Sequence, residues 1–134
     1  MKKSIIYVFI SLLVCSAVAY SNNAEYNLAL RNLKLGNTYR EAGNYNTAIK
    51  YIEKAQKVLD YASDLESKYW SAAANEYLGY VYRDINMNDE AEEQFEIALA
   101  KFNGLIRQAN GSPIPLQMVK NSIAGLKELI SHQS

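Results

Sequence analysis

From Asn23 to Ala42, Tyr45 to Tyr61, Asp64 to Ile85, Asp89 to Ala109 and Leu116 to Ser131, apolar residues recur three and four positions apart, with no strand-like alternation. The spacing predicts five helices and no sheet. The last segment reads most simply: Leu116, Val119, Ile123, Leu126 and Ile130 form one stripe on an otherwise polar helix. Punctuation between the segments agrees. Asn22 with Glu25 and Ser63 with Glu66 have the spacing in which a cap side chain and a returning Glu satisfy free backbone donors at a helix start. Gly43-Asn44 breaks the first pair of helices, and Asn44 can cap the second. Asn86-Met87-Asn88 separates the third and fourth, leaving Asp89 and Glu90 in the positive first turn that follows. Asn110-Gly111 supplies a left-handed stop, and Ser112-Pro113-Ile114-Pro115 cannot continue a helix but can begin one.

Ahead of the helices stands a different pattern. Lys2 and Lys3 give a short cationic start, Ile5 to Val14 is apolar except for Ser11, and Ala17-Val18-Ala19 is a small-x-small processing site. Residues 1–19 are therefore read as a secretory signal peptide and 20–134 as the exported domain, periplasmic or secreted. Leu12-Leu13-Val14-Cys15 is similar to a lipoprotein box, but branched Val14 fits poorly before a lipidated cysteine, so cleavage after Ala19 is preferred to anchoring at Cys15. No later apolar run is long enough for a spanning helix.

The two halves of the helical region repeat each other. Leu35, Gly36, Tyr39, Gly43, Tyr45, Ala48, Ile52 and Ala55 correspond in order and spacing to Leu78, Gly79, Tyr82, Asn86, Asn88, Ala91, Phe95 and Ala98, with a period of 43 residues. Gly inside a helix costs about 1 kcal/mol relative to Ala, so Gly36 and Gly79 point to a close approach, with Ala48 and Ala91 expected opposite. Tyr39, Ile52, Tyr82 and Phe95 are then the bulky groups that fill each hairpin. Asn86 can replace the turn Gly because Asn tolerates positive φ.

This pattern resembles the tetratricopeptide repeat, whose antiparallel helix pairs carry Leu-Gly, an aromatic, a turn Gly, then Ala, a large apolar residue and Ala. The family repeats about every 34 residues, so these helices are about one turn longer each, with the surplus at Lys57 to Trp70. The resemblance covers about residues 24–103. It implies an all-α fold, a short solenoid of antiparallel helix hairpins: repeat 1 over about 24–62, repeat 2 over about 64–109, and a closing helix over about 115–131 that covers the apolar flank of the second repeat. It also implies a concave groove lined by Leu33, Asn37 and Arg40 from the first repeat and Glu76, Tyr80 and Arg83 from the second. Tyr77 adjoins them. Only Asn37 matches the carboxylate clamp of chaperone-binding relatives, and Leu33 stands where that clamp has Lys; a mixed aromatic and polar peptide groove with two arginine anion contacts is expected instead.

Composition narrows the function further. A 49% hydrophobic share with 21% charged residues is too apolar for disorder, and 14 basic against 14 acidic residues provide no field for nucleic acid. Loss of residues 1–19 removes Lys2 and Lys3, leaving 12 basic and 14 acidic residues and a net charge of −2. It also removes Cys15, the single cysteine, so no disulfide or thiolate metal site is expected in the exported domain. Phosphate-loop, zinc-protease, serine-hydrolase and calcium-loop signatures do not occur, and the one histidine, His132, is two residues from the end. No cofactor, metal or catalysis is expected.

Asp84, Asp89, Glu90, Glu92, Glu93 and Glu96 read as a solvated face, or alternatively as an acidic docking patch. Among eleven tyrosines, Tyr39, Tyr45 and Tyr82 fall at repeat positions and are expected in the core, whereas Tyr77 and Tyr80 suit core or partner contact equally. Two function classes follow: an exported interaction module that holds a protein or peptide in its groove, or an assembly subunit that completes its short array by self-association, since such arrays usually need about three units.

Overall fold

The computed structural model describes residues 23–108 and 116–133. The expected signal segment 1–19 with Cys15, the Asn22 cap and the Asn110-Gly111 stop lie outside these residues. Among the described residues five helices run in order: α1 over 23–41, α2 Tyr45–Leu59, α3 Leu65–Asp84, α4 Asn88–Ile106 and α5 Leu116–Gln133. The expected boundaries hold to within a few residues at each end. No strand occurs among the described residues.

The turns after α1 and α3 are chemically the same. Gly43 takes φ 77° and Asn86 φ 63°. In each turn the next amide reaches back five residues, Asn44 to Tyr39 O at 2.8 Å and Met87 to Tyr82 O at 2.9 Å, and the positive-φ residue bonds the carbonyl of Arg40 or Arg83. This left-handed stop satisfies the last carbonyls of both helices. The caps differ from expectation in two places. Asp64, not Ser63, caps α3, its carboxylate accepting from the Ser67 amide at 3.0 Å. Asn44 stands at the N-cap of α2 but makes no side-chain cap bond.

Each helix packs on the next, and α3 serves two cores. Ala29 and Leu33 of α1, Ala48, Ile52, Ala55 and Leu59 of α2, and Ala74, Leu78 and Val81 of α3 form one cluster. Ala72 and Ala73 of α3, Ala91, Phe95, Ala98, Phe102 and Leu105 of α4, and Val119, Ile123 and Leu126 of α5 form the other. A helix approached from several sides needs small residues around its circumference, which explains the run from Ser71 to Asn75. Gly36 and Gly79 hold equivalent places. A Cβ on Gly36 would fall 2.5 Å from Ile52 Cγ1 and 3.2 Å from Ala48 O, and one on Gly79 would fall 2.5 Å from Phe95 Cδ1. The glycines thus make room chiefly for the large signature residue of the following helix; Ala48 contributes its carbonyl to the first contact.

One polar cluster crosses these cores. Lys101 Nζ of α4 donates to Ser71 Oγ and Asn75 Oδ1, each at 2.8 Å, and to Asp60 Oδ1 at 3.2 Å. Ser71 also donates to Asp60, and Asn75 Nδ2 to Gln94 Oε1 at 2.8 Å. All three ammonium protons are thereby used, and the buried Ser71 and Asn75 are satisfied.

Candidate partner-binding surface

Near the C-terminal ends of α1 and α3, two arginines meet one tyrosine. The guanidinium carbons of Arg40 and Arg83 lie 5.1 and 5.2 Å from the Tyr80 ring centroid. Their equivalence is local: each sits three residues before the left-handed turn residue of its own hairpin. Stacking on an aromatic face holds a guanidinium while leaving its edge free to bond. Phe95 supports the ring from beneath, edge to face, with centroids 5.4 Å apart.

The two arginines differ in their partners. Arg40 Nε donates to Asp84 Oδ2 at 2.8 Å and its Nη1 to Asn37 Oδ1 at 3.0 Å, while Asn37 Nδ2 donates to Glu41 Oε1 at 2.9 Å. Arg83 has no carboxylate within ion-pair distance among the described residues; its contact is the Tyr80 face. Among the described residues, Arg83 is therefore the spare cation beside Tyr80.

Glu76 closes the lower side. It accepts the Tyr80 hydroxyl proton at 2.7 Å and is largely buried, and burial pushes its carboxyl above the ordinary glutamate range although that bond works the other way. Burial, with the bond to Glu76, pushes the Tyr80 phenol up as well. Tyr77 is half-buried, and its phenol is raised first by burial and then by the charge of Glu76.

Of the seven residues expected along the groove, six reach this neighbourhood or its rim and Leu33 does not. Leu33 is 2% exposed and belongs to the α1–α2–α3 core. Ala29, Leu33 and Gly36 are all buried and fall on one helical stripe, so the spacing itself carried the signal that Leu33 faces inward. Asp84, expected on a solvated face or an acidic docking patch, instead pairs with Arg40; the link spans 44 positions and follows no periodicity.

Elsewhere the chemistry is sparse. Glu93 and Glu96 are exposed and Glu92 half-buried on α4, and Asp89 and Glu90 occupy its first turn. His132 is exposed, 3.9 Å from Glu128. Tyr39 stacks on Tyr51 with centroids 5.4 Å apart, and Tyr45 and Tyr82 are half-buried against the cores, close to the role expected of them. No group of three or more metal-ligating side chains converges among the described residues, and no helix among them is long and apolar enough to cross a membrane. Comparison of the chain with protein-family models, with curated proteins and with solved structures found no match.

Proposed function

We infer that the chain is an exported, non-catalytic module built from two tetratricopeptide-like hairpins and a closing helix, and that it holds a protein or peptide partner on the surface around Tyr80 and Arg83. The observation that carries this reading is the asymmetry between equivalent arginines: both touch Tyr80, yet among the described residues only Arg40 is matched by a carboxylate. A half-buried guanidinium fixed on an aromatic face, without a charge partner among the described residues, suits an acidic or carboxylate-bearing segment of another protein. Immobilised chain and an Arg83→Glu variant, exposed to the native envelope fraction, test it. Salt-sensitive retention by the first and loss by the second, with unchanged circular dichroism, is the expected result. Equal retention moves the surface elsewhere, first to the acidic face at Glu92, Glu93 and Glu96.

A second reading, self-association, draws on the two end helices. Leu28 on α1 is 55% exposed and Met118 on α5 is 44% exposed. An array of two and a half repeats leaves such end faces to be covered by another copy. Light scattering of the purified chain across a concentration series separates the readings: a monomer at all concentrations removes the second.

A further inference from the structure

A cleft of about 390 Å³ opens between the C-terminal end of α2, the first turns of α3 and the last turns of α4. Leu59, Ala62, Gly104 and Leu105 give it an apolar floor, and Lys68, Lys101, Asp60 and Gln108 stand around it. Its volume lies within the range of small-molecule sites, about 300–1,000 Å³.

The charges around the cleft are not equally available. Asp60 and Lys101 neutralise each other within the polar cluster, and all three Lys101 protons are committed there. Lys68 makes one long bond, to Gln108 Oε1 at 3.4 Å, and has no carboxylate within ion-pair distance among the described residues. Asp64, one turn back, feels the charge of Lys68 without forming an ion pair. Among the described residues the cleft thus offers one spare cation, Lys68, above an apolar floor.

Gly104 is a separate observation. Unlike Gly36 and Gly79, whose missing side chains make room for Ile52 and Phe95, Gly104 would place a Cβ in open space, with nothing of the described residues within 4 Å. Helical glycine costs stability relative to alanine, and no contact within the described residues requires it here. Its bare backbone widens the cleft instead.

We propose that this cleft binds an aliphatic monocarboxylate, the alkyl chain lying over Leu59, Gly104 and Leu105 and the carboxylate on Lys68 Nζ. The charge sign follows from Lys68, and the apolar body from the floor. The proposal is independent of the Tyr80–Arg83 surface and of any partner bound there.

Titration of the isotopically labelled full chain with sodium decanoate below its micelle concentration, followed by amide NMR, is the test. Saturable shifts centred on Ser71, Gly104 and Leu105 are expected, with decyltrimethylammonium weaker by about tenfold or more because its head repels Lys68. Lys68→Gln should lower decanoate affinity by about tenfold and erase the preference for the anion. Gly104→Leu should abolish binding by filling the floor. Equal binding of the two head groups, shifts centred on another region, or undiminished binding by both variants would overturn the assignment. So would proton–proton contacts from Ile114 to Leu105 in the free protein, which would mean that the chain fills its own cleft.

Discussion

Arg40 Nε and Asp84 Oδ2 meet at 2.8 Å, joining the last turn of α1 to the last residue of α3. Their side chains are 23% and 28% exposed, intermediate between a solvated pair and a buried one. A coupling of about 0.2–1 kcal/mol is therefore expected from a double-mutant cycle of Arg40→Gln and Asp84→Asn measured by denaturant unfolding. Arg40→Gln alone should cost more than that coupling, because it also gives up Asn37 and the Tyr80 ring. A coupling near zero would mean that Arg40 is held by the ring and Asn37 alone.

Two glycines predict opposite signs. Gly79→Ala drives a methyl into the Phe95 ring, which is fully buried and cannot swing into solvent, so a loss of about 1–3 kcal/mol is expected. Gly104→Ala meets nothing of the described residues within 4 Å and should stabilise by up to about 1 kcal/mol through helix propensity. Thermal melts of the two variants decide this, and a Gly79→Ala variant that melts like the parent chain would sink the close-approach role.

The contrast between these glycines shows what sequence could and could not convey. Gly36 and Gly79 were legible because each sits in a pattern repeated after 43 residues and pays a helix cost that only a tight contact explains. The five helices were legible for the same reason of period. Leu33 was misplaced because its role came from the register of a shorter repeat rather than from its own stripe with Ala29 and Gly36. Ser71 and Asn75 gave no signal at all: buried polar groups satisfied by a half-buried lysine of the facing helix look, in sequence, like a solvated face. The resemblance put Arg40, Tyr80 and Arg83 along one groove, but the difference between the two arginines rests on the Arg40–Asp84 pair, which no repeat position conveys.

At the start of α3 a shift of one residue has a measurable consequence. Burial alone would raise the Asp64 carboxyl, but the Ser67 backbone amide and hydroxyl outweigh it and hold it below the ordinary range. Asp64→Ala should cost about 0.5–2 kcal/mol, whereas Ser63→Ala should change stability by a few tenths at most. Because its folded pKa is depressed, the Asp64 contribution is present above the ordinary aspartate pKa and is lost as pH falls through the folded value. Melts of both variants at neutral and acid pH check the assignment; equal losses would restore Ser63 as a cap.

The polar cluster on α4 is expected to behave as a unit. Lys101→Met leaves Ser71 and Asn75 buried without their donor while Asp60, 46% exposed, can turn to water. The cost should be about 1–3 kcal/mol, mostly from the two buried acceptors. Asn75→Leu in the same background should then cost less than it does in the parent chain, since one of its bonds is already gone. Denaturant unfolding of the two singles and the double gives the coupling, and strict additivity would show that Lys101 and Asn75 act separately.

Glu76 makes the stability of the Tyr80 surface depend on pH in the direction opposite to Asp64. Burial raises its folded pKa above the ordinary glutamate value, so between the two the folded chain binds more protons than the unfolded one. The contribution is fully present below the unfolded pKa and is lost as pH rises through the folded one. Glu76→Gln removes the ionisation yet keeps an oxygen that can accept the Tyr80 hydroxyl proton. The variant should therefore melt higher than the parent at about pH 7.5, and the gap should shrink towards about pH 4, below the ordinary glutamate value. Melting curves across that interval are sufficient. A gap that is constant with pH would show that the ionised carboxylate is already paid for by solvent or by neighbours, and the raised pKa inferred from its burial would be wrong.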